Sequence, residues 1–79
     1  MKEVEKQLRN LLNENIEQCA KALEDQKEHK NSEVWQNIDF KHNFLNYGWG
    51  AIDLSIKMGL DLLTAMQISK AYANKINNL

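Results

Sequence analysis

The sequence predicts an all-α protein: a small antiparallel bundle of three helices, or four if the second helix breaks at Gly48 and Gly50. Three observations lead there. The 79 residues include no proline. No segment alternates apolar and polar residues between closely spaced turn dipeptides, as strands do. Apolar residues recur instead at steps of three and four, which collects side chains on one face of a helix. A chain of this length makes a single domain, 1–79.

The first helix is expected over about residues 2–28. Met1, Val4, Leu8, Leu11/Leu12, Ile16, Cys19 and Leu23 form its apolar stripe. The stripe stops at Leu23, and residues 24–33 carry no large apolar side chain, so they read as a solvated turn and a loop. The second helix is expected to start near Ser32, whose hydroxyl suits an N-cap, with Glu33 and Asp39 favouring its positive end. Trp35, Ile38, His42, Leu45, Trp49, Ile52 and Ile56 make one stripe of it. Phe40, Phe44, Tyr47, Ala51, Leu54 and Met58 make a second. Two stripes imply two neighbours, so this is the central element. Gly59 ends it in the left-handed region, and Asp61 caps a last helix over about 62–77. Leu62, Leu63, Ala65, Met66, Tyr72, Ala73, Ile76 and Leu79 supply the apolar face of that helix.

Tyr47-Gly48-Trp49-Gly50 poses the main local question. The stripe Leu45, Trp49, Ile52 keeps its phase across both glycines, which predicts a continuous helix. Each interior glycine costs about 1 kcal/mol relative to alanine, so something must compensate. Missing side chains beside Trp49 would let a neighbouring backbone or ring lie close. The alternative is a cap at Gly48 and a new helix from Gly50 or Ala51.

Composition narrows the function. Cys19 is the single cysteine, so no intramolecular disulfide can form, and a lone thiol suits a reducing compartment. It reads as a small buried hydrophobe. The N-terminal run MKEVEKQLRN alternates charge and lacks the apolar stretch of a signal peptide. No apolar run reaches the ~20 residues of a membrane span. These features predict a cytoplasmic protein without a membrane partner. The net charge of -1 gives no strong drive toward nucleic acid or anionic lipid. Nine of the ten basic residues are lysines and asparagine is frequent, a composition that fits AT-rich coding, as in some bacteria, phages and mobile elements.

Residues that could carry chemistry are scattered. His42 lies on the Trp35/Leu45/Trp49 stripe with Asp39 three residues before it, a spacing at which the carboxylate could orient a histidine base. The plainer reading is a core or rim histidine. His29 falls in the polar loop. Cys19, His29 and His42 have no metal-ligand spacing, and only Asp39 and His42 share a face. No glycine-rich phosphate loop follows a strand. The expectation is no catalysis, no metal and no cofactor.

Two binding readings follow. "LSIKMGLDLLTAMQI", residues 54–68, resembles a helix-turn-helix motif: Ser55, Gly59, Leu60, Ala65 and Ile68 occupy the slots for a small residue, a turn glycine and apolar anchors. The resemblance implies a nucleic-acid-binding regulator using residues 54–75, with Gln67, Lys70 and Lys75 toward DNA. Leu62 and Leu63, however, stand where such motifs present polar groups, and no arginine is available for guanine. The favoured reading rests on aromatics. Trp35, Phe40, Phe44, Tyr47 and Trp49 fall within fifteen residues. If the last two helices fold back about Gly59-Leu60, Leu79 reaches the level of Phe40. Val34, Trp35 and Ile38 then project beyond by roughly 8 Å, covered only near Cys19 and Leu23. An apolar end of this kind marks a contact with a second copy or another protein. The sequence thus predicts a non-catalytic protein–protein interaction module (a small regulator, inhibitor, immunity-type or assembly factor), with Leu23, Val34, Trp35 and Ile38 at its contact surface.

Overall fold

Four polar or glycine residues set the helix boundaries. The computed structural model describes residues 2–79, in which α1 spans Lys2–Glu28, α2 Glu33–Gln36, α3 Phe40–Lys57 and α4 Leu62–Asn77. Met1, assigned to the α1 stripe by its spacing, lies outside the described residues. The Ser32 hydroxyl accepts from the Trp35 N–H at 3.3 Å and starts α2. The Asp39 carboxylate accepts from the His42 N–H at 3.1 Å and starts α3. Asp61 starts α4 by accepting both the N–H and the hydroxyl of Thr64, at 3.0 and 3.2 Å. Each cap satisfies a donor the helix cannot, worth about 1 kcal/mol. At the end of α3, Gly59 has φ 106°. Its N–H donates to Ile56 O, and the next N–H, of Leu60, reaches back to Ser55 O at 2.9 Å. This pair of bonds is the Schellman motif, and it turns the chain so that Leu60 is buried.

The second helix is not continuous from Ser32, and its break is not at the glycines. The chain leaves the helix at Asn37–Asp39 and α3 then runs unbroken through Gly48 and Gly50. The reason is that Asp39 caps a new helix rather than decorating an existing one. The carbonyls released by the break are satisfied from α1. Gln26 Nε2 donates to Trp35 O at 2.7 Å and to Ile38 O at 2.9 Å. In return Gln36 Nε2 donates to Gln26 O at 2.9 Å and His29 O at 3.0 Å, at the C-terminus of α1. Two amides thus clasp α2 onto the end of α1. Gln26→Ala should release that clasp. Exchange of the amides of α2 and Asn37 should speed up about tenfold, the equivalent of ~1.4 kcal/mol, with the thermal midpoint falling only a few degrees.

The three long helices pack on one another: α1 against α3 and α4, and α3 against α4. α3 and α4 form an antiparallel hairpin that stays closed to its far end, where Lys41 Nζ donates to Asn77 O at 3.2 Å. The shared core is Leu8, Leu12 and Cys19 of α1, Ile52 of α3, Leu60 in the turn, and Ala65, Ile68, Tyr72 and Ile76 of α4.

Gly48 is what lets the hairpin close. Tyr72 lies directly on the helix backbone at Gly48: a Cβ added there would stand 2.6 Å from Tyr72 Cζ and closer still to Cε2. The Tyr72 hydroxyl donates to Phe44 O, one turn back along α3. That carbonyl also serves the helix, so Tyr72 uses its second lone pair. Gly50 is different, with nothing within 4 Å of an added Cβ.

Burial also shapes the titration of this core. Desolvation raises the Cys19 thiol above its ordinary 9.0, with Lys41 pulling it partly back. Desolvation likewise raises the Tyr72 phenol above 10.0, opposed by a hydrogen bond from Asn15 and reinforced by Cys19. The native state therefore holds protons that the unfolded chain releases. Stability from these two groups is fully present below about pH 9 and is lost as pH rises past the ordinary values into the alkaline range. Melts from pH 7 to 11 should show a midpoint that drops above pH 9. Tyr72→Phe should flatten the part of that fall above pH 10.

Candidate interaction surface

α1 covers one side of the α3–α4 hairpin and leaves the other open. The open side is a groove of about 480 Å³ between α3 and α4. Helix geometry explains its lining. On α4, Ala65, Ser69 and Ala73 recur every four residues and form a shallow floor. Leu62, Met66 and Lys70, at the same interval, form a raised edge beside it. Trp49, Ile52 and Ile56 of α3 make the opposite wall. Leu62 and Met66 are each 62% exposed, the neighbouring Leu63 64% and Trp49 45%. Scattered exposed leucines mean little, but Leu62, Met66 and Trp49 along one groove of a 79-residue chain are a patch.

Among the described residues, Lys70 is the one charged residue that lines this groove. Asp53 and Lys57, on α3, engage each other at 3.2 Å. Tyr47, Leu54 and Met58, also exposed, follow one another at helical spacing on α3. None of the three lines the groove.

The residues expected from the sequence to make the contact surface lie at the opposite end of the molecule. Leu23 packs partly against the core. Trp35 is half-buried: its ring stacks on His29 at 4.3 Å, with 12° between planes, and leans on Phe40 at 6.2 Å. Ile38 is half-buried too, and Val34 alone of the four projects, at 74% exposure. The break at Asn37–Asp39 is the cause. A continuous helix would have carried Trp35 past the bundle, whereas the separate α2 leaves its ring on His29 and Phe40.

Of the residues of the nucleic-acid reading, Lys70 and Lys75 line different grooves and Gln67 is exposed on α4. Lys70 lines the α3–α4 groove, while Lys75 lines a groove between α1 and α4 beside Arg9. The slots that carried the resemblance are occupied as a helical corner requires: Ser55, Leu60, Ala65 and Ile68 are all buried around Gly59. A DNA-binding helix-turn-helix opens its two helices to about 90–120°. Here contact persists from the turn at Gly59 to the pair Lys41–Asn77.

His42 is exposed, and its ring meets the Asn46 amide at 3.2 Å. Asp39 is occupied with the backbone of the cap and not with the imidazole. Among the described residues, no three His, Cys, Asp or Glu side chains converge as a metal site would need, and no helix is long and apolar enough to cross a membrane. No family model, curated protein or solved structure matches the chain.

Proposed function

We propose that the protein is a non-catalytic interaction module that works by burying the apolar α3–α4 face against a protein. The observation that carries this reading is the exposure of Leu62, Met66 and Trp49 along one groove. Large apolar side chains give about 1.5–3 kcal/mol each when taken out of water. A small fold with nine buried apolar residues among those described gains from covering its exposed ones. The hydrophobic floor and wall, with one lysine at the edge, suit an apolar helix laid in the groove rather than a phosphate backbone. The biological role would be that of a small regulator, inhibitor or assembly factor.

Affinity purification from native extract tests this. Tagged wild-type protein should retain a stoichiometric protein, either an untagged copy of itself or another chain. The variant L62E/M66E should lose it with helix content unchanged. If the wild type comes through alone and monomeric, no protein covers the face and the reading is contradicted.

A further inference from the structure

We infer that the occupant of the α3–α4 groove is a second copy of this chain, joined by antiparallel packing of α4 on its counterpart. This rests on the interaction-module reading and goes further by naming the partner and the register. Two independent observations support it.

The first is area. A folded monomer of 9.2 kDa is expected to expose about 4,900 Å². This chain exposes 5740 Å² over a body 46 × 17 × 16 Å. The excess, about 800 Å², matches the share each partner contributes to a standard interface. Part of that excess comes from the elongated body, and the exposed Leu62, Met66 and Trp49 of the α3–α4 face contribute to it.

The second is shape. A two-fold interface must be complementary to itself, because the same patch meets its own copy. The α4 face satisfies this, since a ridge at residues 62, 66 and 70 runs beside a floor at residues 65, 69 and 73. Pair α4 with its copy antiparallel so that Met66 sits over Ser69. In that same register Leu62 sits over Ala73, and Lys70 lies at the level of Ala65, which is already covered within the chain. The two large ridge residues, Leu62 and Met66, thus each meet a small, partly exposed floor residue, which is the ridges-into-grooves condition for rows of i and i+4. A parallel pairing sets Met66 against Met66 and Ala73 against Ala73, overfilled at one level and empty at the other. The antiparallel register also brings Lys70 within one turn of Asp61 of the second copy, so the groove's single charge gains an opposite one at the rim. At the far end, Leu62 of each copy enters beside the other's Trp49. The result is a four-helix core made of two α3–α4 hairpins, with each α1 on the outside.

Sedimentation equilibrium from low micromolar to millimolar protein tests the inference, with circular dichroism to confirm folding. Wild type should be a dimer, and Met66→Glu a folded monomer with a dissociation constant raised about 1,000-fold. Leu62→Glu, at the other end of the ridge, should behave alike. Register is read by air oxidation. An equimolar mixture of Met66→Cys and Ser69→Cys should form a covalent dimer, and neither variant alone should do so efficiently; wholly buried Cys19 stays out of the reaction. A wild type that is monomeric throughout overturns the inference. If affinity purification still retains a different protein through Leu62 and Met66, the interaction reading stands and only the second copy falls. A dimer that survives both glutamate variants, or Met66→Cys that cross-links to itself as well as the mixture does, overturns the proposed packing.

Discussion

Gly48→Ala should be among the most damaging single-methyl changes in this protein, while Gly50→Ala, two residues away, should stabilise it. Both replace a helix-interior glycine, so both gain about 1 kcal/mol of helix propensity. At Gly50 nothing opposes that gain. A rise of about 4–8 °C in the thermal midpoint is expected for a domain of this size. At Gly48 the new methyl would occupy the place of the Tyr72 ring. That ring is 2% exposed in the middle of the core and cannot swing into solvent without opening it. Moving it also breaks the bond from its hydroxyl to Phe44 O, worth about 1 kcal/mol. Overpacking costs of this kind run about 1–3 kcal/mol, occasionally more. After the propensity gain, a net loss of about 2 kcal/mol remains, some 10 °C in midpoint. A double-mutant cycle checks the cause. In a Tyr72→Ala background the penalty of Gly48→Ala should vanish and the propensity gain should reappear. A penalty of unchanged size there would show that the cost lies elsewhere than in the ring.

The second large effect is the loss of association in Met66→Glu. Met66 is mostly exposed in the single chain, so the change should leave monomer stability within about 0.5 kcal/mol. In a two-fold dimer every substitution occurs twice. Losing the burial of two methionines, about 2 kcal/mol each, removes about 4 kcal/mol of association, a factor near 1,000. Two carboxylates facing an apolar groove add to the loss. Thermal melts should reveal the same coupling. The wild-type midpoint should climb with protein concentration, and that of Met66→Glu should not.

Much of this fold can be read in the sequence, because helix ends are written in local chemistry. Ser32, Gly59 and Asp61 act where their side chains or φ requirements place them. The phase of Leu45, Trp49 and Ile52 correctly indicates a helix that ignores both glycines. The break at Asn37–Asp39 is hidden for the same reason that the continuity is visible. Trp35, Ile38, His42 and Leu45 keep three-four spacing across three non-helical residues, so periodicity alone sees no interruption. The signal is a second capping residue, Asp39, inside an apparent helix that Ser32 has already begun. Tyr72 as the partner of Gly48 is also recoverable: the two stand almost equally far from the turn at Gly59-Leu60, as an antiparallel hairpin demands.

The interaction surface is harder to read. Leu62, Leu63 and Met66 have the spacing of a core-facing stripe, and their exposure depends on which side of the hairpin α1 covers. That choice is made by tertiary packing of Ile68 and Tyr72 on Leu12, which is far from them in sequence. The end of the molecule around Trp35 presents the reverse case. Its apolar residues look unpartnered along the sequence, yet Gln26, His29 and Phe40 approach them once α2 separates from α3.

The two tryptophans allow the central claim to be tested in one experiment, since Trp49 walls the α3–α4 groove and Trp35 stands on the α2 corner. A dilution series followed by ¹⁵N–¹H correlation spectra reads both indole N–H signals and every backbone amide. The Trp49 indole and the amides of Leu62, Met66, Ser69 and Ala73 should shift together with concentration, while the Trp35 indole stays in place. Shifts centred on Val34, Trp35 and Ile38 with a silent groove, or no concentration dependence anywhere, would contradict the account.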